Sequence, residues 1–519
     1  IGVWEQWTGH ESVQKFRWER VYSTVRDINL FIQNVEASEE LDASTKQTLV
    51  GEAYFLRAYF YHNLLRLFGG LPIVAEPFEL GQTLEDYHTP RASFEETVNF
   101  IVGDLDEAAN RLDIEARRPG AASRGAALAL KSRVLLHAAS DLFDQSTSPF
   151  PNVPEVAYQN GNQQDRWQRA KDAAQAVIDL GVYSLDPAPT SDEYHQLLVD
   201  GGGSETIWAR YFTSEGGATH NHSLWVSPNG YNSWSGDTPT QEHVDMYENA
   251  DGPEFSWDDL GPGESPYENR DPRLGANVLF NGTVWRERLG GLAELDPVGV
   301  YQPGWYETEP GQYDPSSNEP RADLTPGLDT REGPNEQWNG TRSGYNLRKF
   351  VDRSIFPSNE QAHNPWIFLR YAEVLLNYAE ASAELGDEGD ARWALNQVRS
   401  RVGMPDVTDS GQALIDRIRN ERAVELAFEE HRFFDVRRWM IAPDVYSQPA
   451  RGIRIIGTLD AGDPSPVEVW EGITEGYYDY EYQIIDVVDR AWDNKAYFLP
   501  ILRGEMNANP ALVQNPGYN

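Results

Sequence analysis

Aromatic side chains with polar neighbours, between residues 211 and 237, have the types and spacing that suit contact with a ligand. The aromatic members are Tyr211, Phe212, Trp225, Tyr231 and Trp234. No helical or strand period accounts for these rings as core. Flat aromatic faces can stack on the C–H faces of sugar rings, while Asn232 and Asp237 can bond the hydroxyl groups. The pattern predicts a saccharide site in which Trp234 and Tyr231 lead and Trp225 assists. Packing of the rings against the protein is the alternative.

A second group of chemically active side chains lies on one predicted helix near the C-terminus. It comprises Glu421, Arg422, Glu425, Glu429, His431, Arg432, Asp435, Arg437 and Arg438. Carboxylates and guanidinium groups three or four residues apart on a helix form ion pairs. Partly buried arginines also hold neighbouring loops through two parallel hydrogen bonds. We interpret the group as scaffold rather than as a catalytic cluster.

The sequence contains none of the short motifs that mark common enzymes. There is no cysteine, which excludes disulfides and thiolate catalysis within the chain. No HExxH motif, GxSxG elbow or phosphate-binding loop is present. A glycosidase needs two carboxylates about 5–10 Å apart, and 82 acidic residues supply such pairs by chance. We therefore predict that the protein is not an enzyme.

Two places in the sequence offer ligand atoms to a metal, and neither has the spacing of a known motif. The acidic loops at Asp251 and at Asp258 and Asp259 carry oxygen atoms of the kind that calcium binds. His220 and His222 are close neighbours in a loop, where a solvated pair is the simpler interpretation. We predict no cofactor, with calcium as the alternative.

The charge balance narrows the range of partners. Acidic residues outnumber basic ones by 82 to 43, which gives a formal net charge of −39. A field of this sign repels phosphates and anionic lipids, which argues against nucleic acid and against polybasic membrane docking. No segment approaches the roughly 20 consecutive apolar residues of a membrane-spanning helix.

The elements that must position these residues begin with helices over 1–190. One helix ends at Gly69, and another begins after Ser93, where Glu96 completes a capping box. Several helix pairs joined by tight turns predict a TPR-like scaffold in a mainly α protein. We treat 1–519 as a single unit.

The remaining two parts of the chain differ from each other. Residues 195–345 are rich in glycine, proline and asparagine, which predicts a loop-rich insertion that carries the ligand site. Helices resume over 346–519, beginning with a helix at 368–385 that starts a hairpin. A long helix is predicted from about 414 to 440, and 443–490 is predicted to be irregular.

Segments spread along most of the chain resemble one known family, in that family's order. They are GEAYFLRAYF at 51–60, RLFGGLPIV at 66–74, PTQE at 239–242, RDPRL at 270–274, FLRYAEVLL at 368–376, LNQVR at 395–399, NERAVELAFE at 420–429, HRFFDVRRW at 431–439, FLPI at 498–501 and QNPGY at 514–518. Each motif alone is modest, whereas the ordered set from about residue 18 to 519 is specific. The chain resembles the SusD/RagB family of nutrient-binding proteins.

The resemblance implies a TPR-like scaffold that carries an irregular ligand-binding subdomain. It also implies a cell-surface outer-membrane lipoprotein that captures oligosaccharides and delivers them to a SusC-like TonB-dependent transporter. Family members are tethered through a lipidated N-terminal cysteine. We therefore expect a signal peptide, that cysteine and a linker upstream of Ile1.

Family position also adds candidate binding residues. Trp4 and Trp7 precede the helix that begins at Trp18, where related proteins often place binding aromatics. A second tier of loop aromatics consists of Trp257, Trp305, Tyr306 and Trp338.

Three other functions remain open at this point. The first is a binder of peptide nutrients, of the RagB kind, with ligands held by backbone hydrogen bonds in a broader cavity. The second is a structural or assembly component of the cell surface that kept the scaffold without ligand binding. The third is a glycoside hydrolase or lyase on a helical scaffold.

Overall fold

The computed structural model describes residues 18–518 except 80, 82, 214–218, 262, 357 and 460–465. The helices before residue 200 are α1 (Trp18–Ala37), α2 (Ala43–Phe68), α3 (Phe94–Arg111), α4 (Arg124–Ala139), α5 (Gln163–Ile178) and α6 (Ser191–Val199). The short helices of the middle segment are α7 (His222–Val226), α8 (Gln241–Asp245), α9 (Pro272–Asn277) and α10 (Leu292–Leu295).

The C-terminal part is again mostly helical, and strands occur from the middle segment onward. Its helices are α11 (Tyr371–Leu385), α12 (Glu388–Ser400), α13 (Gly411–Glu425), α14 (Arg432–Arg438), α15 (Ala442–Tyr446), α16 (Val469–Thr474) and α17 (Arg503–Ala508). The strands are β1 (Thr206–Arg210), β2 (Val278–Leu279), β3 (Trp305–Tyr306), β4 (Thr325–Pro326), β5 (Asn346–Leu347), β6 (Trp366–Arg370), β7 (Ala450–Leu459) and β8 (Tyr478–Val488).

Local side-chain chemistry sets the ends of the first helices. The Ser93 hydroxyl accepts a hydrogen bond from the Glu96 amide at 3.1 Å, and the Glu96 carboxylate accepts one from the Ser93 amide at 2.8 Å. This confirms the predicted capping box at the start of α3. Helix α2 ends at Gly69, whose φ of 79° favours glycine because it has no Cβ.

The two helical parts of the chain share one hydrophobic core. Successive helices pack in pairs, α1 with α2, α4 with α5 and α11 with α12, and α11 also packs against α4 and α5. Phe55, Leu130 and Leu376 all belong to the same buried cluster. The predicted mainly α, TPR-like scaffold is therefore confirmed. The described parts of 1–190 and 346–519 pack together into one body.

The helix predicted at 368–385 begins only at 371, because residues 368–370 belong to strand β6. β6 pairs antiparallel with β1, and α11 begins only at Tyr371. The Phe368 ring packs against Trp208 on β1, with ring centroids 4.8 Å apart. Aromatic residues suit a half-buried strand, so tertiary packing overrides the helical pattern here.

The predicted long helix from about 414 to 440 is in fact two helices, α13 and α14. Phe428 and Glu430, between them, have positive φ values of 62° and 65°. The break lets the Glu429 carboxylate reach Arg370 at 2.7 Å and Lys349 at 2.7 Å. Buried ion pairs with distant segments thus outweigh continuation of the helix.

The segment 443–490 is not irregular, contrary to the prediction. Strands β7 and β8 pair antiparallel along their length, and the sheet order is β4-β3-β7-β8. The alternation of Tyr478, Tyr480 and Tyr482 with acidic residues is the period-two signal of a half-buried strand. The acidic residues face outward, while the tyrosines join buried clusters.

A buried ion network ties the middle segment to the helices. The Glu425 carboxylate accepts hydrogen bonds from Arg370 at 2.6 Å, Arg273 at 2.9 Å and Tyr194 at 3.0 Å, and a further one from Arg401. These donors belong to four different segments of the chain. The Glu425 carboxylate is fully buried among guanidinium groups, which is the ion pairing expected of a scaffold residue.

The network extends beyond Glu425. Arg399 donates to Glu421 at 3.0 Å and to Glu248 at 2.9 Å, which links α12 to α13 and to the middle segment. Burial by itself raises the pKa of Glu425, but Arg401, Arg370 and the other cations lower it well below its usual value. A carboxyl whose folded pKa is depressed stabilises the fold above its unfolded pKa of about 4.3 and loses that effect as the pH falls.

We predict that Glu425→Gln lowers the free energy of unfolding by about 3–5 kcal/mol, because it leaves buried arginines without their counter-charge. Urea denaturation at pH 7 measures the change. Glu107→Gln is the matched control, because Glu107 pairs with Arg111 on the exposed surface of α3 and exposed pairs contribute about 0–1 kcal/mol. A loss below about 1 kcal/mol for Glu425→Gln would contradict the role of the network.

Candidate functional site

Two exposed tryptophans lie side by side in the middle segment. Trp225, on α7, and Trp234, in the following loop, expose 45% and 44% of their surfaces. Their ring centroids are 5.7 Å apart, with the ring planes at 46°. The Trp234 amide donates to the Leu224 carbonyl at 3.0 Å, and the Gly236 amide donates to the Trp225 carbonyl at 2.6 Å. We call Trp225 and Trp234 the tryptophan pair.

The loop that carries Trp234 turns through left-handed residues on both sides of this ring. Asn232 and Ser235 have φ values of 58° and 44°, and asparagine is among the residues that tolerate this region. The Asn232 side-chain carbonyl accepts a hydrogen bond from Asn335 at 2.9 Å, and Asn335 also donates to the Asn229 carbonyl at 2.7 Å. Asn232 therefore lies at the predicted site and is fixed by a second loop.

The prediction that the Tyr231 ring is offered to a ligand is wrong, because the ring is buried. Only 4% of its surface is exposed, and its hydroxyl donates to the Gly299 carbonyl at 2.8 Å. The ring packs in a cluster with Val226 and Trp285, and the Arg288 guanidinium lies 4.3 Å from its centroid. Tyr231 packs in the interior next to the loop that carries Trp234 and does not offer its ring to the surface.

A buried ion cluster supports the loop from below. Arg288 donates to Asp296 at 2.6 Å, to Asp329 at 2.8 Å and to the Gly230 carbonyl at 3.0 Å. Burial by itself lowers the pKa of Arg288, but Asp329 and Asp296 raise it above its usual value. Since the charges compensate one another in a buried place, the cluster holds Gly230 and the loop after it in one position.

The other predicted site residues are spread more widely. Asp237 is exposed three residues after Trp234, and Trp4 and Trp7 lie outside the described residues. Trp338, a second-tier candidate, is 75% exposed. It lies in the same loop as Asn335, whose hydrogen bond to Asn232 joins that loop to the loop of Trp234. The partner role of Asn335 was not predicted, because nothing in its local sequence indicates a contact more than 100 residues away.

Other second-tier aromatics have their own partners. Trp257 donates from its indole to Asp245 at 3.0 Å, and Tyr306 is fully buried. Within the described residues no group of three histidines or acids could hold a metal ion, and the calcium hypothesis at Asp251 and Asp258 stays a prediction. The helices of the described ranges include none that is both long and apolar enough to cross a membrane.

The helical-hairpin scaffold with its loop-rich middle segment is the fold of SusD-like proteins. A solved SusD-like protein of Bacteroides fragilis has a TM-score of 0.71 at 28% identity, over 96% of this chain and 85% of that one. A second B. fragilis protein, described as a SusD-like carbohydrate-binding protein, shows the same fold with a TM-score of 0.70 at 24% identity, over 96% of this chain and 86% of that one.

Sequence comparison gives the same assignment. Residues 204–518 match the family model described as the SusD family, and 2–136 match one described as starch-binding, associating with the outer membrane. SusD-like protein P38 of Formosa agariphila is 23% identical over 470 residues, which cover 87% of this chain and 78% of that protein. The chain belongs to the SusD family, which confirms the resemblance found in the sequence.

We predict that Gly230→Ala destabilises the protein by about 1–3 kcal/mol. An added Cβ would lie 2.6 Å from Arg288 Nη1 and 2.7 Å from the Leu328 carbonyl oxygen, inside the buried ion cluster. Gly291→Ala is the control, because its added Cβ meets no atom within 4 Å. Urea denaturation measures the free energy of unfolding of both variants. Equal stabilities would show that the buried ion cluster next to Gly230 tolerates an added methyl group.

Proposed function

We propose that this protein captures oligosaccharides or polysaccharide fragments at the cell surface and passes them to a SusC-like TonB-dependent transporter. The observation that carries the proposal is the tryptophan pair. Two large apolar rings with almost half of their surface exposed, held by backbone hydrogen bonds to each other's segment, form a platform for sugar rings.

The surroundings of the pair suit a saccharide. Asn232 and Asp237 lie on the same loop and can bond hydroxyl groups on either side of a stacked ring. The buried cluster of Arg288, Asp296 and Asp329 keeps this loop in place before ligand arrives. Binding then requires little reorganisation, which lowers its entropic cost.

Family membership supports the wider role. One of the two matching family models is described as starch-binding and associating with the outer membrane. We propose attachment there through a lipid anchor upstream of Ile1. Glu421 and Glu425 are occupied by buried arginines, and we propose capture without bond breaking.

We predict that Trp234→Ala abolishes or weakens binding of the cognate glycan by about tenfold or more, because burial of an aromatic face contributes about 1.5–3 kcal/mol. Affinity electrophoresis in gels that contain plant, algal and microbial polysaccharides measures the retardation. Trp393→Ala is the matched control, because Trp393 is similarly exposed, at 47%, on helix α12 of the scaffold.

Each other outcome of this experiment has a clear meaning. Retardation that Trp234→Ala leaves unchanged would place the glycan away from the tryptophan pair. Absence of retardation by any glycan would favour peptide cargo or a purely structural role, and release of reducing ends from a bound glycan would favour a hydrolase. Co-purification of a TonB-dependent transporter tests the delivery step separately.

A further inference from the structure

One face of the four-stranded sheet gathers aromatic, amide and guanidinium groups. Trp305 on β3 is in register with Ile456 on β7, and Arg454 on β7 is in register with Gln483 on β8. Paired residues point to the same side of a sheet, as do residues two apart on one strand. Trp305, Arg454 and Gln483 therefore share a face.

A second arginine completes this group. The guanidinium carbon of Arg321 lies 4.2 Å from the ring centroid of Trp305, in a cation–π contact. Trp305, Arg321 and Arg454 are each only partly buried, so the group is open to solvent. We call these three residues the arginine–tryptophan face.

The two guanidinium groups have few partners of their own. Across the described ranges, neither Arg321 nor Arg454 forms an ion pair with a carboxylate within 4.0 Å. Arg454 donates one long hydrogen bond, to the Gln483 side-chain carbonyl at 3.4 Å. Burial lowers the pKa of Arg454, and the nearby charge of Arg321 lowers it further. In the described part of the chain, two like charges are thus held near one another without a carboxylate in contact with either.

The carboxylates near this face do not neutralise it by contact. Glu481 accepts from the Tyr313 hydroxyl at 2.9 Å and from the Gln483 amide at 2.7 Å, and within the described ranges it forms no ion pair with either arginine. Glu332 is close enough to act on Arg454 electrostatically, but it forms no ion pair with it in the described ranges. An unneutralised arginine pair is unexpected in a chain with a formal net charge of −39.

The arginine–tryptophan face and the tryptophan pair are joined by one stretch of chain. β3, which carries Trp305, pairs with β4 at Thr325 and Pro326. The chain then runs from β4 through Asp329, in the buried cluster, to Asn335, which bonds Asn232. A single segment of about ten residues therefore fixes both surfaces.

We propose that the arginine–tryptophan face is a subsite for an anionic substituent, a sulfate ester or a uronate carboxylate, on the captured glycan. This inference rests on the proposed function and specifies its substrate class as acidic glycans. Guanidinium groups bind such oxyanions through two parallel hydrogen bonds. Local cations are required, because the overall negative field repels a polyanion.

The test compares matched charged and neutral polymers in affinity electrophoresis. The pairs are dextran sulfate with dextran, and polygalacturonate with its methyl ester. We expect the wild-type protein to bind an anionic member about tenfold more tightly than its neutral partner, and we expect Arg321→Gln/Arg454→Gln to remove this preference. Arg321→Lys/Arg454→Lys should restore it only in part, because lysine lacks the planar fork.

The control variant Arg118→Gln/Arg503→Gln removes the same net charge from exposed arginines elsewhere and should keep the preference. The inference is overturned if the wild-type protein shows no preference for either anionic polymer, or if the two double glutamine variants behave alike. Retardation by a neutral glycan that depends on Trp234 would, in that case, leave the proposed capture function standing. No retardation by any polymer would count against both.

Discussion

One buried carboxylate, that of Glu425, joins three segments that are far apart in the chain. Arg273 comes from the middle segment, Arg370 from the end of β6 and Arg401 from the chain after α12, and all three donate to it. Each of these cations is costly to bury alone, and the Glu425 carboxylate offsets part of that cost for all three. Through Arg273 it ties the loop-rich segment to the helical part.

This constraint explains how a segment with so little regular structure can position a binding surface. Between β1 and β6 the strands are two residues long, so backbone ladders fix little of the chain. Buried ion clusters and close packing take over that role, first around Glu425 and then around Arg288. The second cluster holds the Gly230 carbonyl, four residues before Trp234, so the chain that leads to the tryptophan pair is anchored in the interior.

The sequence was sufficient for features that depend on neighbouring residues, such as the capping box at Ser93 and the helix end at Gly69. It also allowed the family and the helical scaffold to be predicted, and it named Trp225 and Trp234 as candidate ligand residues. The sequence did not predict features that depend on contacts between residues far apart in the chain. The break after α13 serves ion pairs with Arg370 and Lys349, and Tyr231 is buried because Arg288 and Gly299 lie above and beside it.

The exposed area of the tryptophan pair limits how tightly the pair alone can hold the saccharide that we propose as its ligand. Two rings with almost half of their surface exposed offer about 100 Å² each, which is about 5 kcal/mol together at 25 cal/mol per Å². Association alone costs about 4 kcal/mol or more. The pair by itself therefore binds weakly, and polar groups, or several contacts along one chain, must supply the rest. Under the proposed function, contacts that are each weak would let the ligand dissociate stepwise as it passes to the transporter.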